Sequence, residues 1–160
     1  RLGFDFKKEP FEVAGDEFVA YYAKFFHKVK LHNDVSEVLE SLGDTGFSQS
    51  ILSAGKQEYL NQWVQVHGLS EFFTIIRGID NQYARGKIEL GASYINELPY
   101  EKKDVIMIGD TVHDSDVANA MKIDCLLINH GHMGDEKLKS TGRKVFSNMG
   151  QVRDYLISSI

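Results

Sequence analysis

Cysteine occurs once in the 160 residues, as Cys125, so no internal disulfide framework is available and a reducing cytoplasm is the expected setting. Proline is nearly as scarce, with Pro10 and Pro99 alone. No apolar run approaches the roughly 18 residues of a membrane span, and no secretory signal pattern is present, so a membrane partner is not expected. Charge of one sign is not concentrated anywhere. The net charge is −5 with signs mixed along the chain, which argues against nucleic acid as a partner. What remains is an ordinary globular composition, 42% hydrophobic and 26% charged, long enough to bury a core without staples. The chain opens on Arg1 rather than Met, which suggests a missing start.

Hydrophobic periodicity then organises the chain. Residues 1–15 read as irregular, punctuated by Gly3, Pro10 and Gly15. Asp16 to about Lys30 reads as a helix with a broad aromatic face that includes Phe18, Tyr22, Phe25 and Phe26. A short helix from Asp34 turns Val35, Val38, Leu39 and Leu42 inward, with Asp34 and Glu37 spaced as a capping box and Gly43 as its stop. Helices are also expected over 56–67, 87–98, 114–121 and 151–157, the second of these four ending before Pro99. Strands are expected at 47–52, 72–76, 105–108, 125–128 and 145–146. The run Val105-Ile106-Met107-Ile108 is apolar without alternation, as in a strand buried on both faces. Alternating strands and helices predict an α/β fold with a doubly wound, Rossmann-like parallel sheet, whose ligands bind beyond the carboxyl ends of the strands.

Three strand ends carry chemistry. Ser53, in Ile51-Leu52-Ser53-Ala54-Gly55, offers a hydroxyl beside the amides that open a helix, a setting that favours an anion. Lys87 begins a helix, where the dipole disfavours a cation, so it calls for an anionic ligand or a neighbouring carboxylate. Asp110 and Asp114 flank the turn after the buried strand and form a hard oxygen pair suited to Mg²⁺. Taken singly, each has a plain structural reading too: Ser53 and Asp114 as helix caps, Lys87 as a solvated lysine, Asp110 as a turn residue. Other candidates are poorer. Ala54-Gly55-Lys56-Gln57 is like a P-loop ending, but Ser50 replaces its first glycine and Gln57 its metal-binding hydroxyl. His130 and His132 lack a third ligand for zinc.

Order, spacing and strand context of Ser53, Lys87 and Gly109-Asp110-Thr111-Val112-His113-Asp114 resemble the second, third and fourth motifs of the haloacid dehalogenase superfamily, and the stretch through Gly131-His132-Met133-Gly134 resembles its phosphoglycolate-phosphatase-like members. The resemblance covers about residues 31–158, with 1–30 similar to the remnant of a helical cap and 31–160 to a core lacking its first strand. It implies a Mg²⁺-dependent phosphatase acting on a small phosphorylated metabolite through an aspartyl-phosphate. By the same resemblance Ser53 and the Ala54 amide bind phosphate, Lys87 neutralises its charge, Asp110 binds Mg²⁺, and Asp114 supports the metal or holds Lys87. The family's nucleophile motif is absent. Its nearest match is Asp5, followed two residues later by Lys7 where an acid belongs, and Ile88 replaces the usual proline after the lysine. The resemblance therefore implies an inactive fragment of an active parent. A phosphomutase and an inactive phosphate- or Mg²⁺-binding regulatory module are the alternatives.

Overall fold

A computed structural model describes residues 10–79 and 86–159. The first helix, α1 (Phe11–Phe25), begins five residues before the expected Asp16, because the Pro10 carbonyl accepts the Val13 and Ala14 amides and Gly15 is carried inside the helix. Its aromatic face is partly used: Tyr22 lies edge-on to Trp63 at 5.3 Å between ring centres, whereas Phe18 and Tyr21 stay exposed. Helix α2 (Val35–Asp44) follows, then β1 (Ser50–Lys56), α3 (Gln57–Val66), β2 (Ile75–Ile79) and α4 (Lys87–Tyr94). The second half runs β3 (Ile106–Gly109), α5 (Val112–Met121), β4 (Asp124–Ile128), α6 (Asp135–Lys139), β5 (Lys144–Phe146) and α7 (Met149–Ile157).

Among the described residues every strand pairing is parallel, and helices cover both faces, as the α/β reading requires. The strands form two sheets among the described residues, β1-β2 and β3-β4-β5. On β4, Cys125 and Leu127 turn to a cluster containing Val117, Ala118 and Met121 of α5, and Leu126 and Ile128 turn to Val38, Leu42, Val152 and Leu156 of α2 and α7. Helix α2 spans both sheets, since Leu39 joins Leu60 and Val64 of α3 over the β1-β2 side. Between the sheets lies a cavity of about 90 Å³ lined by Ser50 and Leu52 of β1, Ile106 and Ile108 of β3, and Tyr94.

Two expected strands are misplaced by about three residues: β1 and β2 begin at Ser50 and Ile75 rather than at 47 and 72. Phe47, Phe72 and Phe73 are apolar because they pack over α2 and α3, not because they pair in a ladder. Helix α4 stops at Tyr94 rather than 98, and the short α6 carries too few apolar positions to show a period.

Candidate phosphate and metal site

The register of β1 against β2 shifts between Leu52 and Lys56, so residues 53–55 leave the ladder at the strand's carboxyl end. Ser53 Oγ accepts the Gly55 amide at 3.0 Å and donates its own proton to nothing among the described residues. It does not cap α3, whose N-cap position is Lys56 with no side-chain bond. Gln57 anchors this loop to β2: its Oε1 accepts the Gly78 amide at 2.7 Å, and its Nε2 donates to the Ile76 carbonyl at 3.2 Å.

Gly86 adopts a left-handed conformation, φ +104°, that turns the chain into α4 and puts Lys87 at its first position. The Lys87 ammonium meets Asp114 Oδ1 at 2.5 Å, with both side chains nearly buried. Asp114 Oδ2 accepts three further bonds, from the Asp110 amide at 3.1 Å, the Thr111 amide at 2.9 Å and Thr111 Oγ1 at 2.7 Å. Thr111 in turn accepts the Asp114 amide, closing a capping box at the start of α5. Burial alone would raise the Asp114 carboxyl. The bond to Lys87, that residue's charge and the Thr111 donors outweigh burial and hold it below the usual carboxylate range.

Asp110 differs in kind. It is exposed, and its carboxylate accepts no hydrogen bond among the described residues. No cluster of three His, Cys, Asp or Glu side chains able to hold a metal occurs among them either. A free carboxylate beside a committed one therefore fits Mg²⁺, which takes few protein oxygens and fills its sphere with water and phosphate, and fits zinc poorly. His130 faces His32, with ring centres 5.0 Å apart, rather than joining His132.

Contact between Lys87, after β2, and Asp114, after β3, puts the carboxyl ends of both sheets on one rim, and β1 runs parallel to β2. Gly91, one turn beyond Lys87, sits so close to Leu52 and Val117 that a Cβ there would lie 3.3 Å and 2.9 Å from them, which presses α4 against β1 and α5. Ser53, Lys87, Asp110 and Asp114 thus share the rim, and only Lys87, Asp114 and the Asp110 backbone touch directly. Sequence reasoning passed over Thr111, although Thr-x-x-Asp is a legible capping signal, and over Gly131, whose contact with Asp110 spans 21 residues.

A doubly wound core with a serine, a lysine and a carboxylate pair at its strand ends brings anion-binding donors and hard oxygen ligands to one rim. The chain belongs to the haloacid dehalogenase-like hydrolases, whose family model matches residues 5–128. It is 30% identical over 105 residues to the pyrophosphatase PpaX of Halalkalibacterium halodurans, covering 62% of this chain and 49% of that protein. It is 22% identical over 146 residues to the tyrosine-protein kinase PtkA of Mycobacterium tuberculosis, covering 88% of this chain and 50% of that one. The chain spans about half the length of the curated relatives it matches. In fold it is similar to a predicted phosphatase from Clostridium acetobutylicum, with a TM-score of 0.86 at 22% identity over 97% of this chain and 72% of the other.

Proposed function

We propose that this chain supplies the phosphate- and Mg²⁺-binding half of a phosphatase that hydrolyses a small phosphorylated metabolite through an aspartyl-phosphate, in the cytoplasm. The observation that carries the reading is the pairing of a committed carboxylate with a free one: Asp114 clamps Lys87 at the rim, and Asp110 beside it has no partner among the described residues. In this reading Lys87 neutralises the phosphoryl oxygens and the Ser53 hydroxyl and Ala54 amide position them. Asp110 holds the ion directly or through water, and Asp114 serves it by fixing Lys87 and the Asp110 backbone. Bound Mg²⁺ would supply charge neutralisation at the transferring group. The attacking carboxylate forms a bond to phosphorus as the ester oxygen leaves and takes up a proton, and water then cleaves the acyl phosphate. Asp5, the nearest candidate for that carboxylate, lies outside the described residues. The family match and the names of PpaX and the phosphatase-like structures support the hydrolase class.

Assay of the full-length gene product against phosphoglycolate, sugar phosphates, nucleotides and pyrophosphate tests the reading. Turnover should require Mg²⁺, and Asp110→Asn should lower kcat/KM by about 100-fold or more. Activity indifferent to EDTA and to Asp110→Asn refutes it. Interconversion of sugar phosphates primed by a bisphosphate, in place of hydrolysis, would mark a phosphomutase. Phosphate or Mg²⁺ binding with no turnover at all would mark a regulatory module.

A further inference from the structure

We propose that Gly131, in the loop after β4, is a positioning residue that sets where the Asp110 carboxylate points. The inference rests on the assignment of Asp110 to the ion. A Cβ at Gly131 would lie 2.1 Å from Asp110 Oδ2, 2.9 Å from its Cγ and 3.1 Å from its Cβ. The first two separations are shorter than side chains tolerate and the third is tight, so a side chain at 131 would drive the Asp110 carboxylate out of its present rotamer and away from where it points now. The loop cannot retreat instead, because it is tied on both sides of Gly131. The Asn129 amide donates to the Phe146 carbonyl at 3.0 Å, and Asn129 Nδ2 donates to Asp135 Oδ1 at 3.1 Å. On the other side Met133 Sδ accepts the Val112 amide at 3.5 Å, at the first residue of α5. The bare backbone at Gly131 thus forms a wall against one side of the carboxylate and leaves its other side for a ligand. Three residues on, Gly134 provides an internal control, since a Cβ there meets nothing within 4 Å.

The test uses the full-length gene product and Mn²⁺, titrated by its electron paramagnetic resonance signal with Mg²⁺ as competitor. Gly131→Ala should weaken Mn²⁺ binding by about tenfold, and Gly134→Ala should leave it unchanged. A thermal-denaturation cycle separates positioning from general damage: Gly131→Ala should lower Tm in the wild-type background and lose most of that effect when combined with Asp110→Ala, which removes the two closest atoms. Unimpaired Mn²⁺ binding by Gly131→Ala, or an equal Tm loss in both backgrounds, overturns this inference alone. A wild-type protein that binds no Mn²⁺ overturns the assignment of Asp110 and the inference with it.

Discussion

Lys87 stands where a helix dipole opposes it, a cost of about 0.3–1 kcal/mol, and it is kept there by one nearly buried carboxylate. That carboxylate also accepts three bonds from the 110–111 turn, so Asp114 connects the cation to the backbone that carries Asp110. Its depressed pKa has a definite consequence. A carboxyl held below its unfolded value contributes stability that is complete above about pH 4 and is lost as pH falls through the folded value. Replacing Lys87 by methionine strands a buried charge and should destabilise the chain by about 3 kcal/mol at pH 7. The gap between wild type and variant should narrow below about pH 4, as Asp114 takes up its proton. Urea unfolding followed by circular dichroism at pH 7 and pH 3 measures both effects, and a pH-independent gap would show that the ion pair is not its source.

At the level of elements, the start of α5 is the most constrained feature of the rim. A Cβ at Gly109 would fall 2.3 Å from Asp114 Cβ and 2.6 Å from its Oδ2, so the capping box closes only over a glycine. Gly109→Ala should therefore displace the first turn of α5 and cost about 2 kcal/mol or more, read as a lowered Tm. A capping box was expected at α2 instead, from Asp34 and Glu37. There Asp34 Oδ2 accepts the Gly150 amide at 3.3 Å and Glu37 meets Arg153 at 3.2 Å, so both carboxylates tie α2 to α7 rather than capping their own helix. Both sites place an acid three residues after the N-cap position. They differ in the N-cap side chain, since only Thr111 carries a hydroxyl that can bond Asp114 both ways.

Over the whole molecule, the described strands divide into two sheets. Among the described residues neither β1 nor β3 pairs with a strand across the cavity that separates them, and the Tyr94 hydroxyl beside that cavity is buried without a hydrogen-bond partner. A buried polar group with no partner is a net cost. Tyr94→Phe should raise the stability of this 160-residue chain by about 1 kcal/mol, measured by urea denaturation. A loss of stability would mean that the hydroxyl has found a partner in solution. Helices α2 and α4 carry the connection between the sheets, through Val38, Leu39 and Leu42 on one face and the close approach at Gly91 on the other.

The sequence by itself determined the strand–helix alternation and the strand over Ile106–Gly109, although its residues are half-buried rather than buried, and it singled out Ser53, Lys87, Asp110 and Asp114 as the residues to watch. Periodicity and chain order are local properties, and the acidic pair lies within a single turn. Only the tertiary structure decided how those residues divide their work. Asp114 gives its oxygens to Lys87 and the adjacent backbone, leaving the Asp110 carboxylate without a hydrogen bond among the described residues, and that follows from α4 and α5 being pressed together at Gly91. The closeness of Gly131 to Asp110 and the separation of β1 from β3 were equally out of reach, because each depends on segments far apart in the chain whose meeting is set by packing and by no spacing along it.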